Sequence, residues 1–162
     1  MVLTLVGAGG CAMRQGDHVG PRPGVAGDTI SIAAGPCFGA CPVYTVTVTP
    51  DGSGLLEPRR FTAVPGDTRF TVTASQYRRL RASLAVFRPA AGEAKRIGHG
   101  ENCDRFATDM PGYEIIWRRS GRKAASLDFQ SGCMDARYAR LRAALAAMPG
   151  TLQIEPMLKS KG

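Results

Sequence analysis

The 162-residue chain has no run of about 18 apolar residues, so no segment can cross a membrane as a helix. Histidine is almost missing: only His18 and His99 occur, and no spaced second histidine accompanies either. There is no G-x-S-x-G, no H-E-x-x-H, no Walker loop and no Ser/His/Asp set. A histidine-dependent enzyme would therefore have to use His99, and the sequence leans away from catalysis. Aromatic residues make up 7%, and there is no basic helix with interleaved stacking aromatics and no recognisable nucleic-acid motif, so no nucleic-acid partner is expected. Acidic residues are also few, 13 against 21 lysines and arginines, giving a net charge of +8. Much of that excess is a solvated, arginine-rich surface, and its sign admits an anionic partner in the cell envelope.

What is present is a single domain's worth of chain with an apolar content of 44%, enough to build a core. Its five cysteines are many for a reducing compartment. Four can pair, leaving one over. The odd one is Cys11, which follows the apolar run 2–10 ending in small residues. That pattern resembles the end of a bacterial lipoprotein signal, in which the cysteine is acylated. The run is short and lacks a basic n-region, which a true start upstream of Met1 would explain. The sequence thus divides into a truncated signal, 1–11, and a Gly- and Pro-rich tether, 12–27, in which His18 is solvated. A globular domain, 28–150, and a basic tail, 151–162, complete it.

The most constrained stretch is Gly35-Pro36-Cys37-Phe38-Gly39-Ala40-Cys41-Pro42. Each proline fixes its own φ and pushes the preceding residue towards extended backbone, and Gly39 can turn the chain between the cysteines. The expected result is a tight loop closed by Cys37 and Cys41. A structural disulfide is the first reading of that pair; a thiol-based metal or redox site is the alternative. Redox pairs gain from C-x-x-C at a helix N-terminus, whereas here the spacing is C-x-x-x-C and a strand follows.

Along the chain, alternation and turn residues predict strands over 28–34, 43–49, 55–61 and 68–73. Ser75 is the expected N-cap of a first helix, with Tyr77, Leu80, Leu84 and Phe87 as its apolar stripe and Pro89 as its end. Residues 89–112 read as a long irregular segment. It contains His99, Glu101, Asp104 and Asp109, the candidate ligand or loop-site residues. A hairpin follows over 113–129. A second helix carries Asp135 in its first turn and Tyr138, Leu141, Leu145 and Met148 as its stripe, stopping at Pro149-Gly150. The segments 77–87 and 138–148 are identical at seven of eleven positions, which suggests two related strand-strand-helix units. The expected fold is α+β: antiparallel hairpins forming a sheet with two helices packed on one face. Four cysteines allow three connectivities. The ends of the 113–129 hairpin bring its flanks together, favouring Cys103–Cys133 beside Cys37–Cys41.

The run G-P-C-F-G-x-C-P-x-Y with its following strand and Asp51-Gly52, then Cys103, Thr108-Asp109-x-Pro111 and Gly132-Cys133, resembles a bacterial family of unknown function. Its members are mostly secreted proteins or lipoproteins, and the resemblance covers about residues 28–148. It implies an envelope location, here an outer-membrane lipoprotein on the periplasmic side, held to the membrane by the lipid on Cys11. It implies no activity and no cofactor.

Overall fold

The structure, a computed structural model, describes residues 26–159. Cys11, His18 and nearly all of the tether lie outside the described residues, as does the end of the basic tail.

The chain forms an α+β fold with one seven-stranded mixed sheet and three helices. In chain order these are β1 (Thr29–Ala34), β2 (Val43–Val48), β3 (Ser53–Arg60), β4 (Thr68–Thr71), α1 (Ala74–Leu84), β5 (Ala94–Ile97), β6 (Gly112–Arg118), β7 (Ala125–Gln130), α2 (Ala139–Leu152) and α3 (Glu155–Leu158). The sheet order is β4-β3-β2-β1-β6-β7-β5, so β1 lies at its centre between β2 and β6.

Strict alternation makes the sheet one-sided. Ile30, Ile32 and Ala34 of β1 are buried, as are Tyr44, Val46 and Val48 of β2. Register aligns them into rows that cross the sheet: Leu56, Val46, Ile32, Ile115 and Leu127 form one, and Val48, Ile30, Trp117 and Ala125 another. The intervening residues, Thr29, Ser31 and Ala33 of β1 and Val43, Thr45 and Thr47 of β2, lie on the opposite face, where Thr47 donates to Ser31 at 3.1 Å. Tyr77, Leu80 and Leu84 of α1 join the same core as Leu141, Leu145 and Met148 of α2, and the two helices touch.

Several expectations need correction. The sheet is not built from antiparallel hairpins alone: β5 lies in the segment expected to be irregular and runs parallel to β7. Only Ile97 of its four residues is buried, so the strand shows almost no alternation in sequence. Thr73, not Ser75, caps α1. Its side chain accepts from the Gln76 N–H while the Gln76 side chain accepts from the Thr73 N–H at 2.7 Å, a reciprocal capping box. α2 does not stop at Pro149-Gly150; it continues to Leu152 and ends at Gln153 in the left-handed region. The segment after it, within the stretch read as a basic tail, forms α3. Leu152, Ile154 and Leu158 are all buried, so tertiary burial overrides the local stop signal. Asp135 stands ahead of a 3-10 turn (Ala136–Tyr138) rather than in the first turn of α2.

One fully buried carboxylate ties these elements together. Asp28, at the entrance to β1, accepts from Arg88 Nη1 at 2.6 Å and from Arg119 Nε and Nη2 at 3.0 and 3.2 Å. The Tyr77 hydroxyl donates to the Asp28 carbonyl at 2.7 Å and accepts from the Asp28 N–H at 3.0 Å. Tyr77→Phe removes both bonds and leaves two buried backbone groups unpaired. The expected loss is about 1–3 kcal/mol of folding stability, measured by urea unfolding.

Candidate functional site

The Cys37–Cys41 loop is held from one side by the segment before β6. The Gly35 N–H donates to the Gly112 carbonyl at 2.8 Å, and the Phe38 N–H donates to the Asp109 carbonyl at 3.1 Å. Cys37 and Cys41 stand at disulfide distance, with Cα atoms 5.8 Å apart. Between them Gly39 takes φ +118°, a conformation that a side chain would strain. The loop leaves Phe38 85% exposed. A large apolar ring on a closed, hydrogen-bonded loop is held out to solvent rather than merely left uncovered.

Phe61 lies close by. It is 44% exposed and takes φ +56°, unusual for a bulky residue. Arg60 stacks on its ring at 5.1 Å. Ala40, Pro42 and Phe61 face Pro149 and Leu158 across a groove of about 540 Å³. A second shallow groove, of about 450 Å³, runs over the polar face of the sheet between Val43, Thr45, Arg59, Glu114 and Gln130. Its backbone includes Tyr44 and Tyr113. Burial raises both phenols above their ordinary value, and the neighbouring Tyr113 pushes Tyr44 further. Both stay protonated at neutral pH and are poor bases.

Cys103 and Cys133 also stand at disulfide distance, with Cα atoms 5.8 Å apart. Of the three connectivities four cysteines allow, this geometry corresponds to Cys103–Cys133 with Cys37–Cys41. Two short stretches pair to bring them together: the Ala107 N–H donates to the Gly132 carbonyl at 2.8 Å, and the Met134 N–H donates to the Arg105 carbonyl at 2.7 Å. Gly132 is required here, because a Cβ would overlap the Ala107 carbonyl oxygen. Asp135 then clamps the loop. Its carboxylate accepts from the Asp104 and Arg105 N–H groups at 3.2 and 2.9 Å and from Arg137 at 3.0 Å. Burial pushes the Asp135 pKa up, but those two backbone bonds and Arg137 outweigh it and hold the carboxyl below the usual aspartate value.

The residues expected to form a loop site do not converge. His99 is exposed and sets its ring edge-on to Phe106 at 5.4 Å. Glu101 pairs with Arg96 at 3.7 Å. Asp104 pairs with Arg137 at 3.2 Å, next to Asp135. Asp109 alone reaches the Cys37–Cys41 loop, and does so through its backbone; its side chain accepts from the Thr108 hydroxyl at 3.1 Å. Among the described residues, the one set of three metal-ligand types within reach of each other is Cys103, Cys133 and Asp135, not a set around Cys37 and Cys41. With both sulfurs paired to each other and the carboxylate accepting three hydrogen bonds, these groups already have partners.

Composition and spacing did not single out Phe38 or the clamping role of Asp135. The signal for Asp135 was available: a lone acid two residues after Gly132-Cys133, ahead of an acid-free helix.

A family profile described as a domain of unknown function (DUF6438) matches residues 28–150. The chain belongs to the DUF6438 family. Comparison with curated proteins and comparison with solved structures gave no match. The DUF6438 span begins at the buried Asp28 and takes in both cysteine pairs, the Phe38 loop and the Asp135 clamp.

Because Asp135 has a lower pKa folded than in an open chain, its contribution to stability is complete above about pH 4 and is lost as pH falls through the folded-state value. Asp135→Asn should therefore flatten the acid limb of a stability–pH curve while leaving its neutral-to-alkaline shape unchanged. Separately, Cys103→Ser/Cys133→Ser opens a loop of 30 residues. It should lower stability by about 3.5 kcal/mol, against about 2 for the tight Cys37–Cys41 loop, both read by urea unfolding.

Proposed function

We propose that this DUF6438 chain is a non-catalytic, disulfide-stapled domain of the bacterial cell envelope. In this reading it is anchored through a lipid on Cys11 to the periplasmic side of the outer membrane and serves a binding or structural role. The observation that carries it is the loop of Cys37 and Cys41: its sulfurs are paired, no third ligand group stands beside them among the described residues, and its ring Phe38 faces solvent. That arrangement suits display of an apolar contact and does not supply a nucleophile, a base and an oxyanion site together. Support for the compartment comes from the four cysteines of the domain, which stand in two pairs at disulfide distance and need an oxidising environment to remain so. Support for the anchor comes from the apolar run that ends at Cys11.

The finer architecture belongs to the same proposal: two strand-strand-helix units, with α1 and α2 side by side on one face of the sheet. Each helix follows a hairpin, β3–β4 before α1 and β6–β7 before α2, and their apolar stripes meet in one core.

The deciding measurement is intact mass of the Cys11→Ser chain exported to an oxidising compartment, alkylated before and after reduction, followed by native mass spectrometry of the reduced chain with copper or zinc. The expected result is no alkylation until reduction, four alkyl groups afterwards, and no stoichiometric metal. Free Cys37 and Cys41, or a metal lost on Cys37→Ser, would instead establish the thiol-based metal or redox reading. The anchor is tested apart from this: Cys11→Ala should abolish the membrane attachment that survives a high-salt wash.

A further inference from the structure

The two helical segments are free of acidic side chains. Residues 74–88 and 136–152 hold seven of the chain's 21 basic residues and none of its 13 acidic ones, so this layer accounts for nearly all of the net charge of +8. Three of the seven are already engaged. Arg88 bonds Asp28, Arg137 bonds Asp104 and Asp135, and Arg142 donates to the carbonyls of Cys133 and Asp135. The other four, Arg78, Arg79, Arg81 and Arg140, are exposed and form no ion pair among the described residues.

These arginines border an apolar feature. Between the helices runs a groove of about 480 Å³, lined by Ala82, Val86 and Phe87 on one side and Arg140, Ala143 and Ala144 on the other. Val86 is 75% exposed. Arg79 precedes Ser83, which also lines the groove, by four positions within α1, which places it on the groove side of that helix. A surface of small apolar residues bordered by arginines, with no acid to oppose it, is complementary to a phosphate layer lying over hydrocarbon. Arginine suits the phosphates because its planar fork can engage two oxygens at once. A nucleic-acid duplex is a poorer fit: it would have no use for the exposed valine, and the groove lining holds no Asn or Gln to read base edges.

We propose that the exposed face of α1 and α2 docks on the headgroup layer of an anionic phospholipid bilayer, with Arg79 and Arg140 on phosphates and Val86 at the apolar boundary. This deepens the envelope reading above by naming the surface the domain turns to the membrane. The test uses a chain that cannot be acylated, so failure of the docking surface and failure of the lipid anchor remain distinguishable.

The probe is a set of vesicles of phosphatidylcholine with and without phosphatidylglycerol, sedimented with the full Cys11→Ser chain. Binding is expected only to the anionic vesicles and should weaken with salt. Since each basic residue near an anionic surface contributes about five-fold, Arg79→Ala/Arg140→Ala should lower the partition coefficient by roughly 25-fold. The pair Arg118→Ala/Arg122→Ala removes the same charge from other exposed positions and should stay close to the parent. Val86→Ser should weaken the binding that persists at high salt. Near-ultraviolet circular dichroism on each variant shows that the fold is retained. Equal binding to both vesicle types, equal loss in the two arginine pairs, or full competition by duplex DNA would each overturn the proposal; the last would reassign the face to nucleic acid.

Discussion

The domain depends on a carboxylate that should not, by itself, be buried. Asp28 is fully excluded from solvent, and an isolated ionised carboxylate there would be strongly unfavourable. It is tolerated because two arginines from distant positions converge on it, Arg88 after α1 and Arg119 after β6, while Tyr77 satisfies its backbone on both sides. The consequence is topological. The residue just ahead of the central strand β1 is tied to Tyr77 of α1 and to Arg88 and Arg119, which follow α1 and β6, and this favours one register for the strand. Ile30 and Ile32 then face the core, and a slip of one residue would turn both outward. Such a network is weak evidence for net stability; breaking it by removing one partner would leave an uncompensated buried charge.

How much of this could be read from sequence follows from how each signal arises. Alternation of Ile and Val with Thr and Ser over 29–34 and 43–48 marks half-buried strands directly, because burial itself imposes the period. The stripes of α1 and α2 are legible for the same reason. β5 is not, since a peripheral strand with one buried residue carries no period to detect. Pro149 misleads because a local rule is overridden from a distance. Leu152, Ile154 and Leu158 are buried against the core, and the Ile154 N–H donates to the Pro149 carbonyl at 3.0 Å, which closes the helix end after the proline rather than before it.

The candidate site divides along the same line. A loop pinned by proline, glycine and paired cysteines within a few residues declares itself, since all its constraints are local. The grouping of His99, Glu101, Asp104 and Asp109 was suggested by nearness in sequence, and nearness in sequence says little about a long segment. The segment turns on itself at the Gly98–Glu101 bridge and is tied to Cys133 by the Phe106 bridge, and Glu101 and Asp104 pair with different arginines, Arg96 and Arg137. Asp135, thirty residues away, organises the segment instead, and only tertiary structure brings it there.

The two cysteine pairs consequently carry different meanings. Cys103–Cys133 closes a long loop and holds a segment with little core of its own, so stability alone accounts for it. Cys37–Cys41 spans four residues, where Pro36, Gly39 and Pro42 already restrict the chain and little unfolded-state entropy remains to be removed. Its main effect is on shape. It holds the loop closed while the Phe38 N–H is tied to the Asp109 carbonyl and the Phe38 ring stands exposed. A constraint that stabilises less than the longer loop and leaves Phe38 exposed acts mainly on the shape of this surface. The disulfide loop and the arginine face are thus separate surfaces on one scaffold, the first apolar and local, the second cationic and spread over two helices. Removing either should leave the other intact, because no residue of the loop lines the interhelical groove.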